Sequence, residues 1–135
     1  MNRRGTETVL AYATLALLVP YVPLETWTAL PGGLLDPFYL VDVVAMILLL
    51  YGALHSLRSR PRPAPEILCI AFAWSSANGW RATSWRLREI QEGGALDHGS
   101  AELWAVAVGT VLSLAAFVAL FVLVVLEQRR RAEMG

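Results

Sequence analysis

The stretch that decides the fold is Leu103–Leu126, LWAVAVGTVLSLAAFVALFVLVVL, in which no side chain carries a charge. A helix of about 20 apolar residues crosses the hydrocarbon core of a bilayer, so this stretch predicts a membrane span. Three further apolar segments precede it, at residues 8–24, 38–57 and 66–86. The sequence therefore predicts an all-α integral membrane protein, a four-transmembrane-helix bundle that forms a single domain over residues 1–135.

The composition favours a membrane protein over a soluble one. Hydrophobic residues make up 56% of the chain and charged residues 16%, whereas charged residues make up about 25% of a typical soluble protein. The formal net charge is +0 at pH 7, so no overall positive field favours nucleic acid. We therefore expect membrane lipid as a partner and no nucleic acid.

The first segment is the least regular of the four. Pro20 and Pro23 lie near its end, where proline is expected to kink or end a helix. Arg3 and Arg4 precede its apolar run, as in a signal peptide, but no convincing small-residue cleavage site follows. We therefore interpret this segment as a retained span.

Clusters of arginine predict the orientation of the chain. They lie before the first span, in the loop after the second span and after the fourth span: Arg3, Arg4, Arg58, Arg60, Arg62, Arg129, Arg130 and Arg131. If the chain crosses the membrane four times, all three clusters fall on one side, and such an excess of arginine marks the cytoplasmic side. We predict an N-in/C-in protein of the bacterial cytoplasmic membrane.

The third segment becomes polar halfway along its length. Polar and ionisable groups at membrane depth are costly and usually face protein or water, so they indicate a functional site by default. At about 100° per residue, four of these side chains share one helical face. They are Trp74, Asn78, Arg81 and Trp85. We expect this face to point into the bundle.

Each of the other three spans supplies an acid at the same predicted depth. Asp42 shares a stripe with small residues of the second span, and Glu102 shares a face with Gly109 and Ser113. Small residues allow membrane helices to approach closely, so both stripes are predicted packing faces. The result is a predicted outer polar cluster, which serves either as a ligand site or as a structural lock. Its members are Glu25, Asp42, Trp74, Asn78, Arg81, Trp85 and Glu102.

The usual signatures of cofactor binding and catalysis are absent from the sequence. The two histidines, His55 and His98, are predicted on opposite sides of the membrane, so they cannot share a metal ion. His98 and Glu102 are at best weak metal candidates, and we predict no metal and no cofactor. No Gly-x-Ser-x-Gly, Walker, dinucleotide-binding or Cys-x-x-Cys motif occurs, and we predict no catalytic residue.

Three functions remain open at this level. The first is a small non-enzymatic integral membrane protein, either a homo-oligomer or an accessory subunit that binds other membrane subunits, because the chain has little extramembrane mass and carries small-residue faces. The second is a small-ligand or ion binding or transport protein with an outward-facing polar pocket. The third is a membrane enzyme that acts on lipid through a carboxylate acid or base. We take the first as the prediction.

Overall fold

The computed structural model is all-helical over the residues that it describes, which are 3–29, 35–58, 65–94 and 100–133. Its four helices are α1 (Arg3–Ala29), α2 (Pro37–Leu57), α3 (Glu66–Gln91) and α4 (Ser100–Glu133). Three of them contain segments long and apolar enough to cross a membrane: Arg4–Trp27, Pro37–Leu57 and Leu103–Glu133. The predicted helical class is therefore confirmed. Helix α3 does not reach the same apolar level, because its second half is polar.

Helix α1 continues past both of its prolines. It runs through Pro20 and Pro23 to Ala29. Of the two effects expected of these prolines, a kink or a helix end, the helix end near residue 24 is therefore wrong. Both prolines are exposed. Apolar helices also tolerate proline when the freed backbone groups find other partners.

The ends of α2 and α3 are fixed by local hydrogen bonds. Asp36 caps α2 by accepting a 2.7 Å bond from the backbone N–H of Phe38. At the end of α3, Gly93 donates to the carbonyl of Ile90 at 3.1 Å and Gly94 donates to that of Glu89 at 2.8 Å. This is the Schellman pattern, and Gly93 has the φ of 82° that it requires.

Neighbouring helices run in opposite directions. Arg4 Nη2 donates to the carbonyl of Arg58 at 3.4 Å, which joins the start of α1 to the end of α2. Arg131 Nη2 lies 3.4 Å from Glu66 Oε1, which joins the end of α4 to the start of α3. We call this end of the molecule the termini end and the other end the far end. Helices pack mainly against their neighbours in sequence, and α1 and α4 meet only sparsely.

The shared apolar core occupies the half of the molecule near the termini end. It is formed by the first two thirds of α1, the first half of α3 and the second halves of α2 and α4. Its buried members are Ala11, Leu18, Leu49, Ala53, Leu68, Cys69, Ala71, Phe72, Leu120 and Leu123. In the far half no comparable cluster of buried apolar side chains joins all four helices among the described residues.

Two glycines bring helix backbones close together. A Cβ atom on Gly52 would lie 2.9 Å from Cα of Leu68, so α2 and α3 are in backbone contact there. Ala45, Leu49 and Ser56 are buried on the same stripe, which confirms the predicted packing face of α2. A Cβ atom on Gly79 of α3 would overlap the side chain of Thr110 of α4.

The packing face of α4 differs from the predicted one. Gly109 is exposed, and a Cβ atom there would meet nothing within 4 Å. Its neighbour Thr110 makes the contact instead, packing against Gly79 and placing its hydroxyl 3.5 Å from that of Thr83. The Thr110 hydroxyl also donates to the carbonyl of Val106 at 2.7 Å. A polar residue can therefore occupy the contact because its hydroxyl is bonded within the helix.

Candidate functional site

The face of α3 that the sequence predicts to be internal is largely exposed. Trp74 is 42% and Trp85 61% exposed, Arg81 is exposed and Asn78 is half-buried. The expectation that this face points into the bundle is therefore wrong for Trp74, Arg81 and Trp85. Gly79 permits the closest approach to α4, so the helix turns its small-residue side inward and leaves the large side chains outside.

The exposed face of α3 borders the start of α2. Trp74 Nε1 donates to the carbonyl of Val41 at 3.5 Å. The guanidinium carbon of Arg81 lies 5.2 Å from the ring centroid of Phe38, within the range of a cation–π contact. These two contacts hold the polar half of α3 against the flank of α2.

A group of ionisable side chains from three helices lies in the far half. Asp42 of α2 interacts electrostatically with Arg81 and Arg86 of α3. Glu25 of α1 interacts with Asp42 and Arg86, and the phenol of Tyr21 is within reach of both acids. The structure therefore places Asp42 within electrostatic range of two other predicted residues, Glu25 and Arg81.

Arg86 and Tyr21 are the members of this group that sequence reasoning missed. Arg86 is half-buried, and its Nη1 donates to the carbonyl of Ala82 at 3.3 Å. Phe72, Gly79 and Arg86 are spaced at intervals of seven residues, and this spacing was the available signal that Arg86 shares the packing side of α3. The two acids and two arginines balance in charge, so the group can lock the helices or bind a polar ligand.

Several predicted residues lie outside the part of the chain that the structure describes. Among them are His98, Arg60, Arg62 and the side chains of Arg3 and Glu102. Within the described residues, no group of three His, Cys, Asp or Glu side chains could hold a metal ion. Cys69 is 7% exposed in the apolar core, where an approaching reagent would have no access.

A second group of charges, near the termini end, was not predicted. Glu7 and Glu127 are each 2% exposed. Arg131 Nε lies 3.7 Å from Glu127 Oε1, and its Nη2 lies 3.4 Å from Glu66 Oε1, so one guanidinium joins α4 to the start of α3. The spacing of Glu127 and Arg131, four residues apart on one helix, was the sequence signal for this pair.

Comparison with protein-family models, with curated proteins and with solved structures finds no match. Function is therefore argued from the chain's own geometry. The half near the termini end contains the apolar core and the ion pairs of Arg131. The far half contains the interacting side chains Glu25, Asp42, Arg81 and Arg86, which come from three helices.

Proposed function

We propose that this chain is an integral protein of the bacterial cytoplasmic membrane in which all four helices cross the bilayer and both termini are cytoplasmic. Three helices support this by length and apolar composition. The arginines at the termini end, among them Arg4, Arg58 and Arg131, support the orientation. Helix α3 also fits, because about 1.5 Å per residue gives about 33 Å from Glu66 to Arg88, close to the hydrocarbon thickness of about 30 Å.

Within that membrane we propose that the chain is a non-enzymatic oligomeric or accessory subunit. The observation that carries this proposal is the exposure of α4: only 11% of its most apolar stretch is buried within the chain. Lipid alone could cover that surface, but lipid does not require small residues. Gly109 faces open space next to the packed Thr110, and small residues are typical of helix–helix contacts in membranes. The Gly109 side of α4 is the proposed contact with a second copy.

Cysteine cross-linking of the full chain in membranes tests the subunit proposal. Gly109→Cys should form a disulfide-linked dimer on mild oxidation, because the glycine would lie in the contact. Val111→Cys is the matched control, since residue 111 is 65% exposed and lies about 200° around the helix. Gly109→Leu should also convert the purified oligomer to a monomer, whereas Gly109→Ala keeps a small residue and should retain the oligomer.

The result that contradicts the subunit proposal is equally specific. The proposal would be excluded if the wild-type protein is monomeric in nanodiscs with no co-purified protein, and if the Gly109→Cys variant forms no cross-link in membranes. Equal cross-linking at positions 109 and 111 would show random collision in the membrane, and would also exclude a defined contact on this side of α4.

A second candidate function is binding or transport of a small polar ligand or ion from the outer side. The observation that favours it is the group of Asp42, Glu25, Arg81 and Arg86, which lies where the core is absent. Under this function, Asp42→Asn and Arg81→Ala should abolish binding or flux and leave the helical content and oligomeric state unchanged. If both variants instead fail to fold, the group is a structural lock.

A further inference from the structure

An open cavity of about 380 Å³ lies at the far end of α3. It borders the group around Asp42, because the Arg86 guanidinium lies 5.9 Å from the centroid of the Trp85 ring. Among the described residues, its lining is formed by Trp85, Arg88, Glu89, Glu92 and Gly94. Trp85, Arg88 and Glu89 are spaced at i, i+3 and i+4, so they share one face of α3, and Glu92 is the residue directly after the helix. The cavity therefore combines an aromatic ring, a guanidinium and two carboxylates at the end of α3.

The end of α3 shapes one side of this cavity. Gly94 folds back so that its N–H donates to the carbonyl of Glu89 at 2.8 Å. A Cβ atom on Gly94 would lie 2.8 Å from Cγ of Glu89. The Glu89 side chain can therefore adopt this position because residue 94 has no side chain. The Schellman turn thus fixes the carboxylate side of the cavity relative to the helix.

The depth of the cavity corresponds to the headgroup layer under the proposed membrane placement. Glu66 pairs with Arg131 at the termini end, and Arg88 lies about 33 Å farther along α3 at about 1.5 Å per residue. That distance slightly exceeds the hydrocarbon thickness of about 30 Å. Trp85 is 61% exposed at this level, where tryptophan is typical of the membrane interface.

We propose that this cavity binds the headgroup of a zwitterionic phospholipid that carries a primary ammonium group, as in phosphatidylethanolamine. Arg88 pairs with the phosphate, and Glu89 and Glu92 accept hydrogen bonds from the ammonium group. The Trp85 ring covers the glycerol and the upper acyl chains. Among the described lining residues, two carboxylates face one guanidinium, and the nearby Arg86 guanidinium, 5.9 Å from the centroid of the Trp85 ring, interacts with Glu25 and Asp42. An anionic headgroup therefore fits less well, because the two carboxylates repel added negative charge.

Native mass spectrometry of the full chain in detergent micelles tests this site by titration with phosphatidylethanolamine or phosphatidylglycerol. The wild type should retain phosphatidylethanolamine at the lower lipid concentration. Arg88→Gln removes a charge-assisted hydrogen bond and should weaken retention by about tenfold or more. Glu92→Gln should reduce the preference for phosphatidylethanolamine over phosphatidylglycerol. Arg130→Gln and Glu133→Gln, exposed residues near the end of α4, are the matched controls and should behave as the wild type.

Three results would overturn the proposal: equal retention of the two lipids by the wild type, undiminished retention by Arg88→Gln, or an equal loss in Arg130→Gln. The site rests on the proposed membrane placement but not on the proposed subunit role. The same spectra report the mass of the assembly, which separates the two proposals. A monomer that retains phosphatidylethanolamine selectively supports the lipid site and contradicts the subunit role. An oligomer that retains both lipids equally supports the subunit role and contradicts the lipid site.

Discussion

Replacing Gly52 by alanine should push α2 and α3 apart. The new Cβ atom would lie 2.9 Å from Cα and 3.0 Å from the backbone nitrogen of Leu68, and 3.3 Å from the carbonyl carbon of Ile67. Carbon atoms pack at about 3.5–4.0 Å, so the helices must separate by about 1 Å. These neighbours are backbone atoms, and they cannot move aside as a flexible side chain could.

The expected cost follows from two opposing effects. Overpacking of a close contact typically costs about 1–3 kcal/mol of unfolding free energy. Exchange of glycine for alanine within a helix returns about 0.5–1 kcal/mol. Gly52→Ala should therefore lower the unfolding free energy by about 1 kcal/mol, the middle of a net range of about 0–2.5 kcal/mol. The loss should be local to the contact between α2 and α3, because Leu68 lies in the apolar core.

The assay is equilibrium unfolding in mixed micelles, followed by the helical circular dichroism signal as the fraction of denaturing detergent rises. Gly109→Ala is the matched control, since its Cβ atom meets nothing within 4 Å. It should unfold at the same detergent fraction as the wild type or at a higher one, and Gly52→Ala at a lower one. If the two variants unfold together, the close approach of α2 and α3 at Leu68 is not as described.

Three further predictions concern other parts of the fold. Arg131→Gln removes the guanidinium shared by Glu66 and Glu127 and should lower the unfolding free energy by about 1–2 kcal/mol, measured in the same assay. An unfolding free energy equal to that of the exposed control Arg130→Gln would contradict it. Gly93→Ala places a Cβ at a φ of 82° and should cost about 1–2 kcal/mol, with faster hydrogen exchange at the last turn of α3. Exchange that is unchanged would argue against the Schellman end. Cys69 is 7% exposed in the core, so maleimide should label it only after unfolding, and rapid labelling of the folded protein would refute its burial.

The helical type and order of the four segments could be predicted from the sequence because apolar runs determine them locally, whereas α1 and α4 extend beyond the predicted spans. The packing face of α2 could also be predicted, since the small residues Ala45, Gly52 and Ser56 lie on one stripe at helical spacing and are buried. A stripe of small residues on a membrane helix is expected to be buried against another helix, and the buried residues of α2 agree with that expectation. Local patterns therefore carried most of the fold.

The packing faces of α3 and α4 could not be predicted in the same way. Gly109 and Thr110 are adjacent, and both are small enough for a helix contact. The choice between them depends on Gly79 of the partner helix, which is a pairwise fit that neither helix encodes alone. For α3, Trp74 and Trp85 are equally compatible with a polar pocket and with the membrane interface. Helical periodicity shows which residues share a face, but not whether that face packs against another helix.

The change of α3 from apolar to polar coincides with the end of the shared core. Phe72 is the last residue of α3 in that core, and the polar residues of α3 begin at Ser75. Within the core, an unpaired charge would be expensive, so α3 must be apolar there. Beyond it, Arg81 and Arg86 have acids from α1 and α2 within electrostatic reach, so charge is tolerated. One half of the molecule therefore serves mainly for stability, and the experiments on function belong in the far half.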